Sequence, residues 1–321
     1  VQILVVGGAG YIGSQTARVL KQDGLDVVIY DNLSTGFEFL AKGFPLIVGD
    51  IHDSKKLAEV VKQSDAVMYF AANHYVGESV VNPRKYWRNN VEGGLSLLNC
   101  MLDVGKNTLI FSSTCSVYGA PTKSPITEDD SRVPVNPYGV SKLFFEQAMG
   151  AYDTAYGLKY ASLRYFNAAG ADESGEIGES HEPEPHLIPL TLRAAAGFGA
   201  ELQVYGTDYP TPDGTCIRDY TNVVDLAEAH VKALRHLLAG NPSFTVNLGT
   251  GEGSSVKQVI TTVEEVTGKK VPHKIVPRRP GDPPALVADP TRAQQLLKWK
   301  ATRSLRDSVS TAWKWMQTRG K

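Results

Sequence analysis

Only three cysteines occur in 321 residues, at Cys100, Cys115 and Cys216. They are far apart and odd in number, which excludes a disulfide framework and a cysteine-based zinc pattern. A reduced, cytoplasmic setting is expected. No apolar run reaches the length that spans a bilayer, so no membrane partner is expected. The opening stretch VQILVV reads as a strand rather than a secretory leader. An excess of charge is also missing. The formal net charge is −1, which gives no general attraction to nucleic acid. Internal repeats and low-complexity tracts are absent from the sequence.

Present instead is an alternation of short apolar runs and helical stretches. The runs lie near 3–6, 27–30, 46–48, 66–70, 108–111 and 160–165, with helices expected at 11–23, 54–63, 83–104 and 137–156. The runs are continuously apolar, as strands buried on both faces should be. This pattern predicts an α/β fold, a Rossmann-type doubly wound parallel sheet. After Phe166 the pattern changes: a polar, acidic stretch at 171–186, a helix at 187–198, a short strand at 203–205 and a Gly/Pro-rich loop at 206–215. The expected division is a dinucleotide-binding domain over 1–166 and a smaller C-terminal α/β substrate lobe over 167–321, with some chain crossing back.

The first strand runs into GGAGYIGS, with Gly7, Gly10 and Gly13 spaced G-x-x-G-x-x-G before a helix. Glycine permits a tight turn and close approach of a pyrophosphate, and the helix start offers free N–H groups. Asp31 ends the second strand at a suitable distance to bind a ribose hydroxyl. An acid there repels a 2′-phosphate, so NAD is expected rather than NADP. Asp50 ends the third strand, placed to contact the adenine.

The stretch NPYGVSK at 136–142 places Tyr138 and Lys142 four apart. Asn136 suits a helix N-cap and Pro137 the first helical position, so the two side chains share one helix face. Alone, this spacing also suits an ordinary surface pair. Beside a dinucleotide, and with Thr114 at the end of the fifth strand, it suits alcohol–ketone chemistry. A phenol with a pKa of about 10 is a poor base at neutrality, and lowering it by about three pH units takes about 4 kcal/mol. One cation about 4 Å away supplies about that much at an effective dielectric near 20. Burial opposes it, so a positive nicotinamide has to assist Lys142.

Together these motifs resemble the extended short-chain dehydrogenase/reductase family, and within it the nucleotide-sugar 4-epimerases. The likeness covers nearly the whole chain, through YDNLSTG, VGESV, YWRNNVEG, FSSTCSVYG, LRYFNAAGA, HLIPL, YGTDYPTPDGTCIRDY and RRPGDPPAL. It implies reversible 4-epimerisation of UDP-glucose and UDP-galactose through a 4-keto sugar, with NAD as cofactor. Tyr138 is then the base, Lys142 its modulator and Thr114 a ligand of the 4-hydroxyl. Tyr11, Ile12, Asn32, Ile51, Phe70, Ala71, Asn89, Ser112 and Tyr165 join the glycine loop, Asp31 and Asp50 around NAD. Asn167, Leu187, Gln203, Tyr205, Arg218, Arg279 and Asp282 take the UDP-sugar, and arginine forks suit a diphosphate. A homodimer through the helices near 83–104 and 137–156 is implied as well.

Cys115 and Ser116 follow Thr114 where related 4,6-dehydratases carry Asp-Glu, which disfavours loss of water. Two departures bear on range. His74 replaces a lysine of some relatives, and Leu286 a tyrosine. The smaller Leu286 leaves room beside the hexose, so 4-epimerisation of a UDP-N-acetylhexosamine or UDP-pentose is the alternative. An inactive NAD-dependent sensor on the same fold is the more distant one. His181, Glu184 and His186 invite a metal reading, but their irregular, proline-interrupted spacing favours a solvated loop with one or two substrate-facing ends and no metal.

Overall fold

The computed structural model of the chain describes residues 1–279 and 281–319. Seven parallel strands form its central sheet, in the order Phe244–Leu248, Lys159–Tyr165, Thr108–Thr114, Ala66–Tyr69, Gln2–Val6, Asp26–Asp31 and Leu46–Val48. Six of these strands were expected. The seventh comes from the second half of the chain and pairs with Lys159–Tyr165, so the crossing back is a full strand of the sheet.

Strand geometry sends alternate side chains to opposite faces. Ile3 and Val5 enter one buried cluster, shared with Leu226 and Leu234 of the helix Val223–Leu238. Leu4 and Val6 enter the other, shared with Leu57, Leu97 and Phe145. Both faces are therefore covered, and ligand access is left to the strand ends, where parallel sheets bind.

The helix Pro137–Tyr156 is as expected, and its ends show why. The Asn136 side chain accepts from the Gly139 N–H at 2.8 Å. Gly157 closes the other end at φ +74°, a left-handed conformation that suits glycine. The helix expected over 83–104 is instead three consecutive pieces, Pro83–Tyr86, a π-type turn at Trp87–Glu92 and Gly93–Asp103. A short helix at Val76–Val81, not anticipated, precedes it. The wider π turn accommodates buried Asn90, whose side-chain amide donates to Ser141 Oγ and Asn73 O, both at 3.0 Å.

The second half packs the helices Leu187–Ala196, Val256–Thr267 and Leu305–Arg319 around Leu192, Val259 and Val309. Small sheets edge this core. Leu202–Tyr205 pairs with His273–Val276, and Ile217–Arg218 lies between Ser254–Ser255 and Ala285–Leu286. No described helix is long and apolar enough to cross a membrane.

Candidate active site

A cavity of about 1710 Å³ runs from the glycine loop to the small sheets of the second half. Every expected site residue lines it except Asp50. Gly49 and Ile51 reach the wall on either side of Asp50. The Asp50 carboxylate is engaged locally, accepting from the His52 N–H at 2.9 Å and from Asn32 Nδ2 at 2.9 Å. These bonds, the one from the His52 N–H first, hold it down at about 2.

The glycine loop answers whether a dinucleotide fits. Gly7 has φ +83° and a Cβ there strikes the backbone of Phe70 and Ala71, so it serves the fold. Gly13 is closed by Gly7 O and Gly8. Gly10 is different. Its φ is −87°, which any residue adopts, and the nearest atom to a Cβ is Gly7 O at 3.4 Å. Glycine at position 10 therefore clears space for something in the cavity at a helix start, the setting of a bound pyrophosphate. Beside it, Asp31 Oδ2 accepts from the Ala9 N–H at 2.9 Å and Oδ1 from the Leu33 N–H at 2.8 Å. Burial pushes the Asp31 carboxyl up, and those two bonds oppose the shift.

Deeper in, Tyr138 and Lys142 project from one face of their helix toward the end of Thr108–Thr114. Lys142 Nζ donates to Ser112 O at 2.8 Å and lies 6.0 Å from the Tyr138 ring centre. Burial brings the Lys142 ammonium down to about 7, and the Glu146 charge one turn on opposes this. Burial also raises the Tyr138 phenol well above its ordinary value, while a hydrogen bond from the Thr114 side chain pulls it down. Burial is the largest influence on the phenol, so the pair alone does not make a phenolate at neutrality. Ser112 Oγ and the Tyr165 hydroxyl form a very short contact beneath the pair. Thr114 Oγ1 accepts from the Ser116 N–H at 3.1 Å. Phe70, Ala71 and Asn89 complete this wall, with Asn89 Nδ2 donating to Asn90 Oδ1 at 2.9 Å.

Lys142 depends on a buried arrangement behind it. Glu146 accepts from Arg164 through Nε at 2.9 Å and NH2 at 2.6 Å, and from Ser113 and Ser162 hydroxyls at 2.6 and 2.8 Å. Sequence reading did not single out Glu146 or Arg164, because both lie within apolar-patterned elements.

The far end of the cavity is cationic. Arg218 NH2 meets Asp282 Oδ1 at 2.5 Å, and Arg218 NH1 donates to Pro283 O at 3.0 Å. The Arg279 guanidinium stacks on the Tyr205 ring at 3.9 Å, and the Tyr205 hydroxyl donates to Gln203 Oε1 at 2.7 Å. Asn167 Nδ2 donates to Asp219 O at 3.1 Å, and Leu187 opens its helix at the rim. Leu286 and His74 also face the cavity. His74 is half-buried among rings, their centres 4.5 Å away for Tyr75 and 4.9 Å for His181, and the loss of solvent takes it to about 3. It is therefore neutral, so the fixed charge of a lysine is absent at that position.

One expectation fails. The end of the polar stretch is not a solvated loop: Ile177 and Glu184 are buried, and Glu179, His181, Glu184 and His186 turn together into the cavity wall. Glu179 was missed because nothing in its spacing separates it from the exposed acids around it.

Residues 3–249 match the NAD dependent epimerase/dehydratase family. The UDP-glucose 4-epimerase of Rhizobium meliloti (strain 1021) is 46% identical over 321 residues, covering 99% of this chain and 98% of the relative. A UDP-glucose 4-epimerase from Brucella ovis, solved in complex with NAD, superposes with a TM-score of 0.96 at 48% identity, covering 97% of each chain. The Bifidobacterium longum UDP-glucose 4-epimerase, solved with NAD+ and UDP, superposes with a TM-score of 0.93 at 39% identity, covering 99% of this chain and 98% of the other. With this match over sequence and fold, the chain belongs to the NAD dependent epimerase/dehydratase family.

Proposed function

We infer that the chain is an NAD-dependent isomerase that interconverts UDP-glucose and UDP-galactose at C4 through a 4-keto sugar. The observation that carries this reading is one continuous cavity with a Thr114–Tyr138–Lys142 end and an Arg218–Arg279–Asp282 end. The relatives named above, of similar length throughout, carry the same activity in their names.

In the proposed arrangement, NAD is held by the glycine loop, Asp31, Asn32, Ile51, Phe70, Ala71, Asn89 and Tyr165. When bound, it supplies a carbon that takes up and gives back hydride, and a positive charge that favours a nearby phenolate. Tyr138 accepts the proton of the sugar 4-hydroxyl and later returns it to the 4-keto oxygen. Thr114 hydrogen-bonds that oxygen. Lys142 stabilises the phenolate, and the Ser112 carbonyl fixes the position of Nζ. Arg218 and Arg279 hold the diphosphate. Asp282, Asn167, Leu187, Gln203 and Tyr205 hold the rest of the UDP portion, so that the sugar is the part free to present either face. Residues 1–166 supply the dinucleotide side and residues 167–321 the nucleotide-sugar side.

A homodimer through the helices near 83–104 and 137–156 is part of the proposal. Trp87, Val140 and Phe144 support it, since these large apolar side chains are exposed on those helices. The three cysteines are unpaired thiols, which supports a reducing, cytoplasmic setting.

The test is incubation with UDP-galactose without added NAD, followed by chromatography of the nucleotide sugars. Formation of UDP-glucose is expected, with Tyr138→Phe losing at least about a hundredfold in rate. No conversion by the wild-type protein reconstituted with NAD rejects the assignment. Conversion at an undiminished rate by the variant rejects Tyr138 as the base.

A further inference from the structure

Glu179, His181, Glu184 and His186 form a cluster that the reaction does not use. Their ligating atoms all lie within 4.8 Å of one another. Glu184 and Glu179 side chains are only 1% and 6% exposed, and His181 is 11% exposed. Glu179 Oε1, His181 Nδ1 and His186 Nδ1 are buried with no partner in hydrogen-bonding geometry. They nevertheless point at one another. His181 Nδ1 is 3.2 Å from Glu179 Oε1 and 3.6 Å from Glu184 Oε2, and His186 Nδ1 is 2.5 Å from Glu179 Oε1 and 3.3 Å from Glu184 Oε1.

Those separations have a meaning for a metal. Nitrogen and oxygen ligands about 2.0–2.2 Å from a tetrahedral zinc ion stand roughly 3.3 Å from one another. Three of the nitrogen-to-oxygen distances, 3.2, 3.3 and 3.6 Å, lie near that edge, with either Glu184 oxygen in reach, and His186 Nδ1 and Glu179 Oε1 at 2.5 Å have to part by under an ångström to admit the ion. We propose that Glu179, His181, Glu184 and His186 bind one divalent transition-metal ion of the zinc class. Two imidazole nitrogens and two carboxylates suit such an ion better than calcium or magnesium, which take oxygen ligands.

The surroundings fit a built site. Glu184 Oε1 also accepts from the His186 N–H at 3.0 Å, which orients the carboxylate. The Trp315 indole donates to Glu179 O at 2.8 Å, and the Tyr75 hydroxyl to Pro183 O at 2.9 Å, fixing the backbone on both sides. His74 closes the cluster, with its ring stacked 6.1 Å from His186 and Nε2 unpartnered. His186 immediately precedes the helix Leu187–Ala196. The ion therefore ties the acidic segment to the start of the helix that carries Leu187 into the cavity. Its role is structural, and the site is separate from the groups proposed to handle the proton.

The experiment uses the full chain with its cofactor, treated with a chelator, freed of it, and equilibrated by dialysis with zinc alone or cobalt alone. The expected result is about one ion per chain at micromolar free metal, and with cobalt the visible absorption of a four-coordinate site. His186→Gln and Glu184→Gln, each checked for a folded state by circular dichroism, should weaken uptake by about tenfold or more, while His273→Gln at an exposed strand should not. Absence of stoichiometric uptake overturns the proposal and leaves two histidine–carboxylate ion pairs. So does uptake that survives both cluster substitutions.

Discussion

Removing the ammonium beside Tyr138 is the most informative perturbation, because its size follows from the geometry. In Lys142→Met the side chain is one atom shorter and loses the charge 6.0 Å from the Tyr138 ring centre. Taking the ring centre as the seat of the phenolate charge, and an effective dielectric near 20, that charge is worth about 3 kcal/mol, or about two pH units. If the base acts as phenolate, the variant should be slower by about a hundredfold in kcat wherever Lys142 is charged. Burial places the ammonium's own pKa at about 7. The stabilising charge is therefore nearly complete at about pH 6, half lost at about pH 7 and fades further above it. The ratio of wild-type to variant rates should be greatest in mildly acidic solution and shrink as pH rises. Steady-state conversion of UDP-galactose across pH 6 to about 9, at saturating substrate, measures it. A ratio near one across that range refutes the electrostatic role and leaves Lys142 as a positioning group bonded to the Ser112 carbonyl.

Other parts of the site give independent predictions. Gly10→Val needs no unusual φ and meets little protein, so the folded state should persist while co-purified NAD, read by absorbance after denaturation, is lost; retained NAD would contradict the role of Gly10 as the point of close approach. Glu146→Gln leaves Arg164 buried without its partner and should cost about 3–5 kcal/mol in denaturant unfolding; an unchanged midpoint would show that the ion pair is relaxed by water. Arg218→Ala removes a charge-assisted contact worth about 1.5–3 kcal/mol to a phosphate, so UDP affinity by calorimetry should fall roughly tenfold to a hundredfold. Equal affinity would place the diphosphate elsewhere.

Much of this molecule is legible in the chain because its signals are local. The Tyr138 helix carries its own start in Asn136–Pro137 and its own stop in Gly157. The glycine loop lies between a strand and a helix, and buried parallel strands are apolar on both faces. What escapes is non-local. Phe244–Leu248 joins the sheet beside Lys159–Tyr165 although about eighty residues separate them, and no pattern in either strand names its neighbour. The π turn at Trp87–Glu92 arises from what Asn90 meets in the fold, not from propensity. The His/Glu cluster reads as solvated because charge predicts exposure one residue at a time. Two histidines and two carboxylates that neutralise one another lift that penalty, and only the fold reveals that they meet. The same reason hides the Glu146–Arg164 pair.

The central claim is that one carbon loses and regains the same hydride within one cavity. UDP-galactose carrying deuterium at C4 tests it directly, with the product's isotope content read by mass spectrometry and its position by NMR. Full retention of deuterium at C4 of the UDP-glucose formed, with no added NAD and no exchange with solvent, is the predicted result. Deuterium washed out into water, or product that forms only in proportion to NAD supplied, would contradict the account.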